Sequence, residues 1–283
     1  MFGESSHQHG GGVVTTVGVI GTGSMGSALV KGWLRASGAQ AGPGAGRDRE
    51  LRFVVWDKVP AALQSVLGDD RVTAASSLQE LAGRAEVILV VVKPKDAEEV
   101  LHALAGVVGQ EHTVVSAMAG LTLEWLRRAI GPGPELFRIM PNLGVEVGAG
   151  AVVIAAEADV SDGALERVLS LFQRLGLAEV LGEESFDAVT AVSGSSPAFL
   201  AVAIEGLEDG AVAAGLSRAQ ARAVVRQAAQ ATARRLLALG RQAATERESD
   251  AAALELLEGR GVRDAFRQAV QVAAERSRQM TKS

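Results

Sequence analysis

The chain has 283 residues, of which 48% are hydrophobic and 22% are charged, and its formal net charge is −5. This hydrophobic content excludes a chain that is disordered throughout. The acidic balance argues against a general nucleic-acid binder, which needs a basic face. The absence of cysteine excludes a disulfide framework, a thiolate metal site and a cysteine nucleophile. No run of 18 apolar residues is present, so we expect no membrane span and a cytoplasmic protein.

The first two thirds of the chain predict alternating strands and helices. Residues 1–12 contain two histidines and a triple glycine, and we predict a flexible tail there. The pattern up to Gly182 is typical of an open, doubly wound α/β sheet with right-handed crossovers. Glu86–Val92 is almost entirely apolar, as in a central parallel strand that is covered on both faces. The predicted strands are Val13–Ile20, Phe53–Trp56, Glu86–Val92, His112–Ala117, Leu136–Met140, Val152–Ala155 and Glu179–Leu181, and the predicted helices are Met25–Leu34, Pro60–Leu67, Leu121–Ile130 and Ser161–Arg174.

The last hundred residues predict helices alone. We therefore expect a Rossmann-type dinucleotide-binding domain over residues 13–182 and a helical domain over residues 183–283. The alanine-rich segment Ser217–Leu239 fits close packing in a bundle or subunit interface, and it equally fits simple helix propensity. The predicted helices are Phe186–Val192, Ala198–Ala214, Ser217–Leu239 and Val262–Met280.

The most informative motif is the GxGxxG sequence from Gly21 to Gly26, which lies between a predicted strand and a predicted helix. In this setting Gly21 permits a tight turn, Gly23 lets the backbone approach a pyrophosphate, and Gly26 lets the helix pack closely on the strand. The N-terminus of the helix would add unpaired N–H groups and the positive end of its dipole. The motif predicts NADH or NADPH as the cofactor.

The residue expected to meet the adenosine ribose is Asp57, at the end of the second predicted strand. It lies farther from Gly26 than the usual ~20 residues, and the glycine-rich loop Ser37–Arg49 accounts for the excess. A carboxylate there would accept hydrogen bonds from a ribose 2′-hydroxyl and repel a 2′-phosphate, which favours NAD. Lys58 could instead meet a phosphate. The choice between NAD and NADP therefore stays open, with a lean to NAD.

Lys93 directly follows the apolar strand Glu86–Val92. Ligands of doubly wound sheets bind at the carboxyl ends of the strands, and Pro94 holds the preceding residue in an extended conformation. We therefore place Lys93 at the cofactor crevice. His102 and His112 are isolated from other ligating residues, so we expect both on the surface and predict no metal site.

Several segments together resemble the pyrroline-5-carboxylate reductase family. They are VGVIGTGSMGSALVKGWL near the start, VVVKPKD around Lys93, VVSAMAGLTLEWL, RIMPN ending at Asn142, and FDAVTAVSGSSPAF followed by DGAVAAGLSRAQA. They occur in the family's order over most of residues 17–235. The resemblance implies a dinucleotide-binding domain and a helical domain that interlocks with a second copy into a homodimer. It also implies hydride transfer from NADPH or NADH to the C=N carbon of a small cyclic imine, which yields proline.

The resemblance also implies the site residues, although it assigns no catalytic acid, base or nucleophile. The residues implied on the cofactor side are Gly21, Gly23, Ser24, Met25, Gly26, Val92, Lys93, Pro94, Ala119 and Gly120, to which Asp57 is added by its place in the sequence. The residues implied at the substrate pocket are Asn142, Ser193, Gly194, Ser195 and Pro197.

One segment departs from the family pattern. The family has a Ser-Pro-Gly-Gly-Thr-Thr type segment that holds the substrate carboxylate, and this chain has Thr245–Asp250, with three carboxylates, in its place. Arg247 is able to clamp a carboxylate there instead. Two alternatives therefore stay open beside proline formation. One is a reductase of the same scaffold for a different imine or carbonyl, and the other is an NAD(P)-binding protein without catalytic activity.

Overall fold

The computed structural model describes residues 15–37, 50–239 and 251–281. Within these ranges eight strands form one sheet in the order β3-β2-β1-β4-β5-β6-β7-β8. The strands are β1 (Thr15–Ile20), β2 (Leu51–Trp56), β3 (Val72–Ala74), β4 (Val87–Val90), β5 (Thr113–Ser116), β6 (Glu135–Pro141), β7 (Gly150–Ala156) and β8 (Gly176–Val180). The helices are α1 (Ser24–Ala36), α2 (Leu78–Ala82), α3 (Ala97–Ala105), α4 (Leu123–Ile130), α5 (Asp162–Gln173), α6 (Phe186–Val189), α7 (Ser196–Ala213), α8 (Arg218–Leu239), α9 (Ala251–Gly259) and α10 (Val262–Thr281).

The first six strands are parallel, and the chain reverses its direction of travel across the sheet between β1 and β4. Such a switch point opens a crevice at the carboxyl ends of the two strands. Strand β7 is antiparallel to β6. The eight residues between these strands are too few for a parallel crossover, which takes a dozen or more. Strand β8 then returns parallel to β7 after α5.

The central strands of the sheet are buried on both faces, as the sequence predicts for a doubly wound fold. In β4 the side chains of Val87 and Leu89 belong to the core that also includes residues of α1 and α5. Ile88 and Val90 belong to the core on the other face, with residues of α2, α3 and α4. All four side chains are at most 1% exposed, which confirms the predicted central strand.

Helix α1 is fixed to the sheet by Trp33, which is fully buried. Its ring stacks on Phe53 of β2 at 5.7 Å and contacts Phe172 of α5 at 5.5 Å. Its indole N–H donates to the carbonyl oxygen of Leu171 at 2.8 Å, so the one polar atom of the ring is satisfied. These contacts hold α1, and therefore its N-terminus, in place relative to β1.

The chain divides into two compact units at Val189, with Thr190–Ser277 as the second unit and the residues from Arg278 onward grouped with the first. In the second unit a π-helical turn, Thr190–Ser195, leads into α7. Its helices are extensively exposed, and the exposed large apolar side chains of α7 and α8 include Leu200, Val202, Leu207 and Val224. The N-terminal Rossmann-type domain and the C-terminal helical domain confirm the predicted fold class.

Among the described residues, the helical stretch Glu183–Ala213 has the length and hydropathy of a membrane span. Only 6% of its most apolar 18-residue segment is buried within the single chain. The same stretch contains Glu208, which is 4% exposed and accepts from Arg226 of α8 at 2.8 Å. The next residue, Asp209, accepts from Arg218 at 2.6 Å. These two ion pairs join α7 to α8, while the large apolar side chains of the two helices remain exposed in the single chain.

Several elements were missed by the sequence analysis. Strand β3 and helices α2, α3 and α9 have no counterpart among the predicted elements. The expectation that His112 lies on the surface was wrong, because this residue is 6% exposed. Its Nδ1 accepts from the N–H of Gly109, and its Nε2 lies 3.1 Å from the carbonyl oxygen of Ala82. Both ring nitrogens thus have backbone partners, so the ring is buried without leaving a polar atom unsatisfied. The predicted tail 1–12 and nearly all of the loop Ser37–Arg49 lie outside the described residues.

Candidate active site

The GxGxxG segment forms a tight strand–turn–helix connection. Gly21 has a φ of +97°, a conformation that residues with a side chain rarely adopt. A Cβ on Gly26 would lie 2.0 Å from the carbonyl oxygen of Gly21, so only glycine lets α1 pack this closely on the loop. The conformational roles predicted for these two glycines are confirmed.

Gly23 differs from the other two glycines, because none of the described residues requires the absence of its side chain. Its φ is −65°, and a Cβ built on it lies more than 4 Å from every described residue outside its own neighbourhood in the chain. That Cβ would stand at the wall of a cavity which Gly23 lines. The open space over this backbone is what a bound pyrophosphate requires.

The N-terminus of α1 lies beside the same cavity. Gly23 is its N-cap residue, no side chain caps it, and its first turn contains no acidic residue. The first intrahelical hydrogen bond in this region runs from the N–H of Ser27 to the carbonyl oxygen of Gly23. The preceding N–H groups of Ser24, Met25 and Gly26 therefore have no partner within the helix, as at any helix start. Together with the dipole they provide a site for an anion.

The cavity has a volume of about 620 Å³ and lies where the carboxyl ends of β1, β2 and β4 meet. Its size is within the usual range for sites of small molecules and cofactors. Of the residues predicted on the cofactor side, those that line it are Gly21, Gly23, Asp57, Val92 and Lys93. The N–H groups at the start of α1 fit the pyrophosphate of a dinucleotide. So does the open space over Gly23, which we call the cradle.

Asp57 follows β2 and is tied to the phosphate loop. Its Oδ2 accepts from the backbone N–H of Thr22 at 2.8 Å and from the Thr22 hydroxyl at 3.2 Å. Its Oδ1 accepts from the N–H of Val59 at 2.9 Å. Because Thr22 is buried, these contacts set the position of the carboxylate against the loop.

Lys58, the next residue, forms an ion pair and hydrogen bond with Asp96, which lies in the turn after β4. Both residues line the cavity. The hydrogen bond from Lys58 lowers the pKa of Asp96, and the same contact raises the pKa of Lys58. The pair therefore holds its charges over the whole neutral range.

The other residues predicted on the cofactor side follow neighbouring parallel strands. Lys93 is exposed and extended, with φ −68° and ψ 146°, which confirms the conformation predicted from Pro94. Ala119 and Gly120 follow β5, and Gly120 has a φ of +79°. Since β4 and β5 are adjacent and parallel, the structure brings these segments to the same edge of the sheet.

Asn142, predicted at the substrate side, follows β6 on that edge. Its Oδ1 accepts from the N–H of Gly144 at 3.1 Å and from the N–H of Ala151 at 3.2 Å. The side chain thus closes the connection between β6 and β7. The remaining predicted pocket residues belong to the second unit, at the π-helical turn and the start of α7, and are Ser193, Gly194, Ser195 and Pro197. Arg247 lies outside the described residues.

Sequence reasoning missed part of the cavity wall. Ser76, Ser77 and Gln79 before and within α2 line the cavity, as do Lys95 and Val100 on the stretch from Lys93 into α3. A signal for α2 was present, because Ser77 and Glu80 have the spacing of a capping box. In the structure the Ser77 hydroxyl accepts from the N–H of Glu80.

Comparison with known proteins identifies the family. The chain is 35% identical over 280 residues to the pyrroline-5-carboxylate reductase of Escherichia coli (strain K12), covering 94% of this chain and 98% of that one. The enzyme of Methanosarcina acetivorans is 30% identical over 273 residues, with the same two coverages. This chain belongs to the pyrroline-5-carboxylate reductase family. The resemblance found in the sequence is thereby confirmed.

Two family models match separate parts of the chain. Residues 183–280 match the model for pyrroline-5-carboxylate reductase dimerisation. Residues 16–120, which include the GxGxxG loop and the Asp57 segment, match the model described as NADP oxidoreductase coenzyme F420-dependent. The helical part of this pyrroline-5-carboxylate reductase family member is thus its dimerisation region.

Solved structures of the family share the fold. The Plasmodium falciparum pyrroline carboxylate reductase with NADP bound has a TM-score of 0.78 at 24% identity and covers 96% of this chain and 100% of that one. The Coxiella burnetii pyrroline-5-carboxylate reductase has a TM-score of 0.82 at 23% identity, with 95% and 100% covered. At these identities the likeness supports the fold alone.

Proposed function

We propose that this protein reduces 1-pyrroline-5-carboxylate to proline with NADPH or NADH. The observation that carries the proposal is the cradle over Gly23, beside the N-terminus of α1 and open to the cavity, in a chain that aligns over 94% of its length with a reductase of that name. Neither feature alone would suffice. A phosphate loop is common to many dinucleotide-binding proteins, and family membership alone does not establish a working cofactor site.

On the cofactor side, the backbone of Gly21, Gly23, Ser24, Met25 and Gly26 would hold the pyrophosphate through N–H groups. The residues that would line the nicotinamide ribose and its surroundings are Val92, Lys93, Pro94, Ala119 and Gly120. When bound, NAD(P)H supplies a hydride to the carbon of the C=N bond. Hydride addition to an imine that is already protonated needs no acid or base from the protein, because the iminium carbon is already electrophilic. The protein's contribution is to position donor and acceptor and to exclude water.

On the substrate side, we assign the pocket to Asn142 and to Ser193, Gly194, Ser195 and Pro197. The π-helical turn Thr190–Ser195 supports this assignment, since such turns occur frequently at functional sites. The hydroxyl groups of the two serines are suited to hydrogen-bond a carboxylate. Arg247 is the further candidate for that carboxylate, on the sequence evidence alone.

We further propose a homodimer with the domain limits 13–182 and 183–283. The match to a dimerisation model over residues 183–280 and the exposed apolar side chains of α7 and α8 support this assembly. A second copy would cover the apolar stretch that has the composition of a membrane span. A cytoplasmic location and a role in proline biosynthesis follow from the proposed reaction, because its nicotinamide cofactor is kept inside the cell.

The direct test is to follow the oxidation of NADPH and of NADH at 340 nm with pyrroline-5-carboxylate, and to identify proline as the product. Turnover that depends on the imine is expected with at least one cofactor. Gly23→Val is the control, since its Cβ would stand in the cradle with none of the described residues within 4 Å. An absence of turnover with both cofactors at high enzyme concentration would reject the reductase. If dinucleotide binding survived in that case, the non-catalytic alternative would take its place.

A further inference from the structure

The ribose end of the cavity contains two residues of opposite charge at the end of β2, Asp57 and Lys58, and their hydrogen-bond partners differ: Asp57 accepts from neutral donors, whereas Lys58 pairs with the carboxylate of Asp96. In a Rossmann-type fold this is where the 2′ position of the adenosine ribose lies, which is a hydroxyl in NADH and a phosphate in NADPH. The identity of the group that faces this position therefore selects the cofactor. This inference rests on the proposed function, because it concerns the same dinucleotide site.

Asp57 is fixed in position by donors on two sides. Thr22 donates through its N–H and its hydroxyl to Oδ2, and Val59 donates through its N–H to Oδ1. Moving the carboxylate away from the cavity would break all three hydrogen bonds. All three donors are neutral, so they leave the negative charge of Asp57 in place. Each oxygen also keeps acceptor capacity for a further donor.

Lys58 is engaged elsewhere. Its ammonium group is paired with Asp96, which also lines the cavity, and Glu99 of α3 is a second negative charge close enough to act on it. The cation that would otherwise meet a 2′-phosphate is therefore engaged in an ion pair of its own. The other two lysines that line the cavity, Lys93 and Lys95, follow β4 and not β2.

We propose that this site selects NADH over NADPH, with Asp57 as the specificity-determining residue and Asp96 as the residue that keeps Lys58 from a 2′-phosphate. A ribose 2′-hydroxyl can donate to the fixed carboxylate of Asp57. A 2′-phosphate brings a second negative charge to the same place, and contact between like charges at a binding site is strongly unfavourable.

The test measures dissociation constants of NADH and NADPH for the full chain by titration calorimetry, without any imine present. The wild-type protein is expected to bind NADH at least about tenfold more tightly than NADPH. Asp57→Asn should bring the two constants together, chiefly by tightening NADPH. Asp96→Asn should also tighten NADPH about threefold to tenfold by releasing Lys58, with little change for NADH.

Glu166→Gln on α5 is the matched control, because it makes the same change in net charge at an exposed position that is not part of the cavity wall. It should leave both constants unchanged. Equal or tighter binding of NADPH by the wild-type protein would overturn the inference and leave the proposed function standing. An unchanged preference in Asp57→Asn, or in Asp96→Asn should the first variant fail to fold, would overturn it as well. Failure of both cofactors to bind would overturn the inference together with the proposed function.

Discussion

A Cβ atom on Gly26 would lie 2.0 Å from the carbonyl oxygen of Gly21, whereas a Cβ on Gly23, within the same loop, would meet no atom within 4 Å in the part of the chain that the structure describes. One glycine of the motif therefore serves the packing of the protein itself, and the other leaves room for a ligand. The same substitution at the two positions should separate these roles.

Gly26→Val is expected to destabilise the fold by about 3 kcal/mol or more, because backbone atoms have to move to admit the side chain. Gly23→Val should cost at most about 1 kcal/mol of the free energy of unfolding, because valine is a poorer N-cap residue than glycine, and should weaken dinucleotide binding at least about tenfold. Urea unfolding and calorimetric titration with NADH measure the two effects. Unimpaired cofactor binding by a folded Gly23→Val protein would contradict the assignment of the phosphate loop.

The assembly of two copies should depend on the apolar side chains of α7. Leu200 is 58% exposed in the single chain, and Leu177 of β8 is 59% exposed. Leu200→Glu is expected to shift sedimentation toward the monomer, because it would bury a charge in the interface. Leu177→Glu, which changes a leucine of equal exposure outside the dimerisation region, should remain dimeric. A Leu200→Glu variant that sedimented as a dimer, like Leu177→Glu, would show that Leu200 of α7 does not lie in the interface.

Arg138 and Glu183 form an ion pair of unequal burial, with side chains 5% and 27% exposed, at 2.8 Å. Arg138 also lies over the ring of Phe186 at 4.5 Å, and Glu183 also accepts from the N–H of Leu123 at 2.8 Å. Loss of the Glu183 charge leaves a cation in the interior, whereas loss of Arg138 leaves a carboxylate that still has a donor and some water.

We therefore expect Glu183→Gln to cost about 3 kcal/mol or more of the free energy of unfolding, and Arg138→Met to cost about 1–2 kcal/mol. Urea unfolding measures the two losses. All proteins are compared at one fixed concentration, because the apparent stability of a dimer depends on its concentration. A larger loss for Arg138→Met would show that its other contacts, and not the burial of its charge, determine the stability of this region.

The ionised carboxylate of Asp69 makes the free energy of unfolding depend on pH in the acidic range. Arg71 donates to both oxygens of its carboxylate, at 2.8 Å and 2.7 Å, and these hydrogen bonds hold the pKa of Asp69 well below its ordinary value of 3.8. Since the folded-state pKa is the lower one, the stabilisation is complete above the unfolded-state value and is lost as the pH falls below it.

Asp69→Asn is accordingly expected to cost about 1 kcal/mol at pH 7. The difference from the wild-type protein should remain constant down to about pH 5 and shrink as the pH falls below about 4. Thermal unfolding followed by circular dichroism over this range measures the difference. Glu166→Gln, an exposed change on α5, should show no such trend, and a pH-independent effect of Asp69→Asn would exclude the ion pair as its cause.

Much of the N-terminal domain was predictable because its signals are local. The phosphate loop is specified by the strand before it, the glycines within it and the helix after it, all inside about twenty residues. The burial of β4 on both faces follows from four consecutive apolar residues. The short β3 and the five-residue α2 were missed, since elements of that length contain fewer than two full periods of the strand or helix pattern.

The sequence by itself determined the alternation of strands and helices, the place of the phosphate loop and the family. The tertiary structure alone decided that β7 runs antiparallel, that His112 is buried, and that Asp57 is held by Thr22, 35 residues away. The partners Arg138 and Glu183 are 45 residues apart. Local preferences depend on a few neighbouring residues, whereas burial and the pairing of charges depend on segments that only the folded chain brings together.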